Sequence, residues 1–388
     1  MVTNMENFMI QKGKIPQNEY VDLINYTFGM NGSDSSFYKL LPKLFGEKRD
    51  PSSVTFFGLE GGKPVAAVGA FPLPFQILDN PLQVGGIGNV AVHPGYRGKG
   101  YMKACMKAAL DWMIKEGYDL AVLSGRRHRY AYFGFEKCAN EFQMEITQKT
   151  VAYVLGKDYQ PSLRLHRVER GDEKILDQIA ALHEKRVYRC LRPRKDLYDI
   201  LISWQAVPYA FLQEGQVVGY AVLGEHGVLE FTTDHLASVS DMVYLLSRLR
   251  WEICWHLPSY EVEMASALLP FAETCLIGAD ICFRVFHWEK ILSLLFLLKT
   301  SYTSLLDGDF VVEIQNFTAG AASERLELSV QGGKACVQAT QKQPEIVLSH
   351  QQAMSVFFLS FSPERQKLSP ILQSWLPLPI SILESDNV

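Results

Sequence analysis

The chain has 388 residues, which at about 150 residues per domain predicts two or three domains. Its 48% apolar and 21% charged residues are ordinary for a globular protein and exclude a disordered or fibrous one. Lys and Arg total 38 against 42 Asp and Glu, and that net charge of −4 argues against a dedicated nucleic-acid binder.

In chain order, residues 1–14 mix Asn, Glu, Gln and Lys among apolar positions and lack the continuous apolar run of a signal peptide. Helices are predicted over 18–31 and 36–44, then strands over 54–59, 65–71 and 83–92, the second closed by Pro72 and Pro74. A helix over 97–116, a buried strand over 120–124 and a last strand over 142–147 complete this stretch. Segment 57–69, F-G-L-E-G-G-K-P-V-A-A-V-G, reads as strand, glycine turn, strand, and segment 211–224, F-L-Q-E-G-Q-V-V-G-Y-A-V-L-G, reads the same way. The copies lie about 150 residues apart and predict tandem related domains joined near 150–162.

The second copy is expected to carry helices over 172–189 and 195–203, a hairpin over 209–223 and a strand over 227–232. A helix over 239–256, with Met242, Leu245, Leu246 and Leu249 on one face, should then lead to a buried strand over 261–264. The last hundred residues read as strands over 310–315, 325–330 and 335–340, with Gly332 and Gly333 as a turn, and a helix over 349–358 opened by Ser349. The expected division is 1–150, 151–285 and 286–388, the last a separate α+β unit.

Cys105, Cys138, Cys190, Cys254, Cys275, Cys282 and Cys336 have no C-x-x-C spacing, so neither a disulfide framework nor a metal site is expected. The longest apolar run, 291–298, is broken by Ser293 and falls far short of the ~20 residues of a membrane span. A cytoplasmic protein with no membrane contact follows. The density of that same run predicts burial against another copy, and hence a homo-oligomer.

Residues 86–103 read G-I-G-N-V-A-V-H-P-G-Y-R-G-K-G-Y-M-K. A strand ends at Val92, Pro94 breaks the ladder, and a loop with glycines at 95, 98 and 100 runs into an amphipathic helix. That is the layout of an anion cradle, because glycines admit close approach and a helix N-terminus leaves amide donors unpaired. No Asp or Glu occurs from 81 to 110, while Arg97, Lys99, Lys103 and Lys107 supply positive charge. The fourfold spacing of the lysines fits a solvated helix face equally well. Neither G-x-x-x-x-G-K-[ST] nor G-x-G-x-x-G is present, which excludes the common nucleotide loops.

The segment resembles the acetyl-CoA loop of the GNAT acetyltransferase superfamily, V-x-P-x-x-[QR]-x-x-G-x-[GA], through Val92, Pro94, Arg97 and Gly100, with Met102 replacing the small last residue. Downstream, L-A-V-L-S-G (120–125) and R-R-H-R-Y-A-Y-F-G-F (126–135) contain Tyr130, Phe133, Gly134 and Phe135 in a Y-x-x-F-G-[FY] element. That element resembles the enhanced intracellular survival family within the superfamily, and the likeness extends over the whole chain. It implies an α/β fold of two tandem GNAT units, each a mixed sheet flanked by helices, and a C-terminal α+β domain like a sterol carrier protein. The first unit would be active and the second degenerate, since T-D-H-L-A-S-V-S (233–240) has neither Arg nor Gly where a cradle should be. The resemblance further implies acetyl-CoA as co-substrate, direct attack by a primary amine (a small molecule, an aminoglycoside-like compound or a lysine side chain), and a homohexamer.

On that reading Val90, Ala91 and Val92 pair with the pantetheine arm, and Arg97, Gly98, Lys99, Gly100, Tyr101, Met102 and Lys103 hold the pyrophosphate. Gly125 and Arg126 extend the cofactor site, and an amide near Val90 stabilises the oxyanion. Tyr130 matches the family's acid, its alternative being a packing role beside Tyr132, Phe133 and Phe135. No Glu lies at 86–89 to act as base, and His93 and His128 are weaker candidates. The family's base is a terminal carboxylate, here the α-carboxylate of Val388, although the family closes on an aromatic residue. Arg126, Arg127 and Arg129 form a basic cluster at the rim. Two other readings stand beside this one. In the first, Val356, Phe357, Phe358, Leu359 and Trp375 line a lipid pocket in the C-terminal domain; in the second, the chain binds coenzyme A as a sensor without catalysis.

Overall fold

A computed structural model describes residues 8–29, 36–46, 49–225, 227–318 and 322–388. Seventeen strands appear among them: β1 (Phe8–Lys12), β2 (Thr55–Glu60), β3 (Lys63–Ile77), β4 (Asn80–Val92), β5 (Leu120–Ser124), β6 (Glu136–Thr147), β7 (Arg164–Arg167), β8 (Tyr188–Cys190), β9 (Val207–Gln213), β10 (Gln216–Leu223), β11 (Gly227–Thr233), β12 (Glu252–Pro258), β13 (Ala272–Val285), β14 (Gly308–Ile314), β15 (Glu324–Gln331), β16 (Lys334–Ala339) and β17 (Ile346–Leu348). Thirteen of them form one mixed sheet in the order β1-β2-β3-β4-β5-β13-β6-β12-β11-β10-β9-β7, with β8 on β3; the other four form a second sheet, β16-β15-β14-β17.

The large sheet records a repeat. Strands β2, β3 and β4 form an antiparallel meander, helix Tyr101–Lys115 crosses over, and β5 returns parallel to β4. Strands β9, β10 and β11 form a second meander, helix Val239–Ser247 crosses over, and β12 returns parallel to β11. The halves interlock, because β13 enters between β5 and β6 while β6 also pairs with β12. Each half is therefore completed by a strand from the other, and parting them would break ladders on both sides of β6.

Strand alternation sends side chains to two faces of the sheet. On one face of the first half, Val68, Ala70, Ile87 and Leu123 pack against Cys105, Met106, Ala109 and Met113 of helix Tyr101–Lys115. On the other, Phe57, Leu59, Ala67 and Ala91 meet Tyr20, Val21 and Ile24 of helix Gln17–Phe28. The C-terminal unit covers the rest of that second face. Its buried Trp288, Leu292, Leu295, Phe357 and Trp375 share one core with Phe71, Leu73, Val84 and Val122.

Several expectations are corrected. Helix Val239–Ser247 stops nine residues short of 256, and 252–258 is β12, because Ile253, Trp255 and Leu257 are buried at every second position, a strand period. Residues 261–264 fall at the start of helix Val262–Leu268, not in a strand. Strand β3 runs on through Pro72 and Pro74, which the structure tolerates because β2 ends opposite Gly69 and leaves an edge there. The helix expected from Arg97 starts at Tyr101, and the one over 172–189 is Glu173–Glu184 followed by β8. Residue 31, the expected end of the first helix, lies outside the described residues; the described helix is Gln17–Phe28.

The apolar run 291–298 does not support assembly. Ile291, Leu292, Leu294, Leu295, Phe296 and Leu298 are all buried within this chain. Among the described residues no helix is long and apolar enough to cross a membrane, and no cluster of His, Cys, Asp and Glu could hold a metal ion. Val356, Phe357, Phe358 and Trp375 are fully buried and Leu359 half-buried; Phe358 stacks on Trp288 at 5.9 Å, and Trp375 meets Phe296 edge-on at 5.7 Å. Those side chains build core.

His350 opens the helix His350–Phe358, whose Ser349 cap and Gln352 form a reciprocal capping box. It is buried against Trp288 and Phe317, and its Nε2 donates to the Gly134 carbonyl at 3.0 Å. Burial first, and Arg284 second, pull its pKa down to about 3. An unfolded His titrates near ~6.5, so the unfolded chain binds this proton more readily than the folded one. The corresponding stability is complete above that pH and is lost as pH falls toward 3. Chemical denaturation of His350→Gln across pH 7 to 3.5 should show a shallower acid loss than the parent.

Candidate active site

The site begins with a break in a ladder. Strands β3 and β4 pair Ala67 with Ala91 but Gly69 with Gly88, so β4 carries an extra residue between them. Asn89 takes up the bulge at φ +52°, a left-handed conformation that Asn tolerates better than most residues. Its Nδ2 donates to the buried Tyr20 hydroxyl at 3.1 Å, which also accepts from Thr55 at 3.3 Å. The bulge is thereby held from below.

Beyond it the sheet opens. Parallel pairing of β4 with β5 covers Val84–Leu120 to Gly86–Val122 and goes no further, although β4 continues to Val92 and β5 to Ser124. His93 N–H bonds back to Val65 O at 2.9 Å. By strand alternation the N–H groups of Val92 and Val90 then point away from β3, into the splay. Extended chain with unpaired donors along a cleft is a ready template for a linear ligand carrying amides.

At the end of β4 the loop closes on itself. The Gly95 N–H donates to His93 Nδ1 at 3.2 Å, and the His93 ring stacks on Tyr26 at 4.9 Å. His93 is thus tied into the loop and does not face the splay as a free base. Gly98 and Gly100 have φ +82° and +84°, and a Cβ on either would meet nothing within 4 Å. Residues 97 and 98 form a hydrogen-bonded turn that closes on the Lys99 N–H, whereas among the described residues no acceptor is bonded to the amides of Gly98 and of residues 100–103; the first helical bond is Ala104 N–H to Gly100 O at 3.1 Å. The donors of residues 100–103 are therefore left without a partner in the chain at the N-terminus of a four-turn helix.

The basic side chains divide. Lys107 pairs with Asp111 on the helix surface, Lys99 pairs with Glu60 at 2.9 Å, and the Tyr101 hydroxyl donates to the same carboxylate. The Tyr101 hydroxyl and then Lys99 hold the Glu60 carboxyl below its ordinary pKa. Arg97 is exposed with no ion pair among the described residues, and Lys103 lies over the Tyr132 ring at 4.2 Å. Arg127 is taken up by Glu136, whereas Arg126 and His128 are exposed. Met102 is half-buried against the helix core.

Tyr130 follows β5 closely. Gly125, at φ +143°, gives it room, since a Cβ there would lie 2.7 Å from Tyr130 Cε2. The ring is 7% exposed; burial raises the phenol pKa, with Arg129 opposing, so the hydroxyl keeps its proton at neutral pH. The turn after it is braced from far away in sequence. Ala131, Phe133 and Gly134 carbonyls accept from Gln351 at 2.9 Å, Arg284 at 2.9 Å and His350 at 3.0 Å. Phe317 closes on Gly134, where a Cβ would be 2.8 Å from its ring.

Val388 enters the splay from the opposite face. A Cβ on Gly86 would lie 2.4 Å from Val388 Cγ2, and one on Gly88 2.9 Å from the Val388 carbonyl carbon, so those glycines make space for this residue. Ser385, Asp386, Asn387 and Val388 are all buried. Asn387 Nδ2 bonds Ser124 at the end of β5, and its Oδ1 accepts the Val388 N–H at 3.0 Å.

The loop amides, Val90 to Val92, Gly125, Tyr130 and Val388 thus come together around one opening in the sheet, whereas His93 and Lys107 are engaged elsewhere. Sequence reasoning missed the Asn89 bulge, the brace on the 131–134 turn and the groups that hold the tail. Of these only Asn89 had a local signal, an Asn flanked by glycines and β-branched residues in a strand.

Residues 15–138 match the family model described as an acetyltransferase (GNAT) domain, so an acyltransferase domain occupies the first third of the chain. No curated protein matches the sequence. Solved structures with the same fold include a GCN5-related N-acetyltransferase from Anabaena variabilis, at 14% identity over 97% of this chain and 98% of that one, with a TM-score of 0.66. A conserved protein of unknown function from Enterococcus faecalis aligns at 17% identity over 96% and 98%, with a TM-score of 0.67. Eis1 from Mycobacterium abscessus aligns at 14% over 98% and 100%, with a TM-score of 0.63. At such identities the likeness is one of fold, and it runs through both halves and the C-terminal unit.

Proposed function

We propose that this acyltransferase is an acetyl-CoA-dependent N-acetyltransferase acting on a primary amine, either a small molecule or a lysine side chain. One observation carries the reading: the unbonded amides of residues 100–103 at a helix N-terminus that adjoins a splay lined by β-strand donors. A pyrophosphate fits the first feature and a pantetheine arm the second. The residues fit the group, for Gly98 and Gly100 leave the approach open and Arg97 and Lys103 add charge.

Acetyl-CoA supplies an activated carbonyl, and the chain's residues do the rest. The Val90 amide donates to the carbonyl oxygen as negative charge develops there. The arriving ammonium, of pKa ~10, must lose a proton before its nitrogen can bond the carbonyl carbon. The Val388 carboxylate, too weak a base to take that proton outright, orients the amine and passes the proton to water. As the C–N bond forms and the C–S bond breaks, Tyr130 would give its proton to the departing sulfur, whose thiol pKa is ~8.5, and the second proton shed by the nitrogen on becoming an amide would restore the Tyr130 hydroxyl. The products are an amide and free coenzyme A.

The first test is calorimetric titration with coenzyme A against the parent chain and Gly100→Val, which puts a β-branched side chain at positive φ in the cradle. The parent should bind and the variant lose most affinity; absence of heat with the parent removes the reading. Thiol release from acetyl-CoA with spermidine, tyramine, kanamycin and Nα-acetyl-lysine methylamide then separates catalysis from sensing. No observation favours the lipid-binding alternative, whose residues form core. The domain division at 150 and 285, the sterol-carrier likeness and the hexamer remain parts of the proposal, to be tested by limited proteolysis and light scattering.

A further inference from the structure

The second half of the chain lacks a cradle of its own, yet its most buried charges are aimed at the first half's opening. The Arg192 side chain is 2% exposed and bridges two carboxylates whose side chains are 0% and 2% exposed. Its Nη1 and Nη2 each donate to Glu230 at 2.9 Å. Its Nε and Nη2 donate to Asp386 at 2.7 and 2.9 Å. Glu230 stands on β11, accepts from the Tyr220 hydroxyl of β10 and faces His183 at 3.5 Å, so it is fixed from three sides. Asp386 lies two residues before Val388.

Two more groups grip the same tail. Lys43, from the short helix Pro42–Phe45, donates to the carbonyls of Ser385 at 2.7 Å and of Asn387. Trp204, at φ +61°, donates its indole N–H to the Asn387 carbonyl at 3.1 Å. The tail pairs with no strand among the described residues, and these side chains add to the Ser124 bond and the seat beside Gly86 and Gly88 in holding it.

We infer that Arg192 is a positioning residue for acyl transfer: through Asp386 it locks residues 385–388 so that the Val388 carboxylate is held in the β4–β5 splay. The cradle-less half thereby acts as a clamp on the first half's site. A buried bidentate bridge suits this task, because the guanidinium plane fixes direction as well as distance. A terminal residue without such anchors would fray. The inference rests on the proposed role of Val388, and the test separates the two.

Asp386→Asn weakens the bridge to the tail but leaves Arg192 paired with Glu230, so the fold survives, as a melting curve would verify. Three proteins are compared with the parent: Asp386→Asn, the chain lacking Val388, and the two changes combined. Turnover is followed by thiol release from acetyl-CoA with the four amines named above, and tail docking by the rate at which carboxypeptidase Y frees Val388. The expected result for Asp386→Asn is faster release of Val388 and a kcat lower by about 10–100-fold, the scale of a small misplacement of a reacting group. KM for acetyl-CoA should not change, and the combined variant should be no slower than the truncation alone. If truncation lowers kcat while Asp386→Asn does not, or if the two losses multiply, the clamp is overturned and the Val388 role stands. If truncation leaves kcat unchanged, or none of the four amines is acetylated, the reading of the site itself falls and the clamp with it.

Discussion

Tyr130→Phe is expected to lower kcat by about 10²–10⁴-fold while leaving the melting temperature and the affinity for coenzyme A almost unchanged. The argument rests on what the substitution removes. The ring, packed beside Gly125 and within the core over helix Tyr101–Lys115, is retained by Phe. Only the hydroxyl is lost, and burial holds that hydroxyl protonated beyond the ordinary range of a phenol. The parent should therefore lose activity only at strongly alkaline pH, as the proton leaves, and Tyr130→Phe should show no such limb at its residual rate. A pH profile of kcat for both proteins measures this. Were Tyr130 merely a packing residue, as its neighbours Phe133 and Phe135 are, Phe would serve as well and kcat would not move.

Much of the first half was legible because its signals are local. The β2–β3 hairpin follows from Gly61 and Gly62 between apolar runs, and β5 from a short buried run at 120–124, whereas β3 and β4 turn at Leu78 and Asp79 with no glycine to mark the place. The cradle was legible for the same reason: glycines at positive φ, a strand before and a helix after fall within fifteen residues. The errors in the second half come from competing periods. Between 239 and 257 the apolar positions satisfy a helical repeat through Leu246, then switch to alternation at Ile253, Trp255 and Leu257, and a single long helix spans the change wrongly. β13 was not seen at all, since its exposed stretch from Glu273 to Ile277 has the look of a loop until β6 pairs with it.

The site's second tier was not legible because it is made by contacts between distant segments. Arg192, Glu230 and Asp386 are charged residues, and a sequence assigns such residues to solvent. Their burial arises from the interlocked sheet, which carries β11 next to the path of the tail. Likewise Gln351 and His350 reach the 131–134 turn only because the C-terminal unit packs across the first half's face, and Arg284 reaches it because β13 lies between β5 and β6. Val388 was reached through a family likeness, and nothing in E-S-D-N-V itself announces a buried end.

Arg192→Met should destabilise the fold by about 3–5 kcal/mol, because it strands two buried carboxylates with no cation between them. Burial pushes Glu230 toward protonation, but Arg192 and His183 pull harder and hold its pKa well below the ordinary carboxylate range. Remove the guanidinium and burial prevails, so the folded variant prefers a protonated Glu230 while the unfolded chain titrates near ~4.3. The deficit is therefore largest at neutral pH and shrinks as the solution is acidified toward that value. Denaturant titrations of parent and variant at pH 7.5 and pH 5 measure the narrowing. The same logic gives a rescue: adding Glu230→Gln and Asp386→Asn to Arg192→Met removes the stranded charges and should recover most of the loss, because amides of the same shape avoid the cost of an unpaired buried anion. A triple variant as unstable as Arg192→Met would mean that the guanidinium stabilises by packing alone. Recovery of stability without recovery of kcat would separate the two contributions of this residue, one to the fold and one to the placement of Val388.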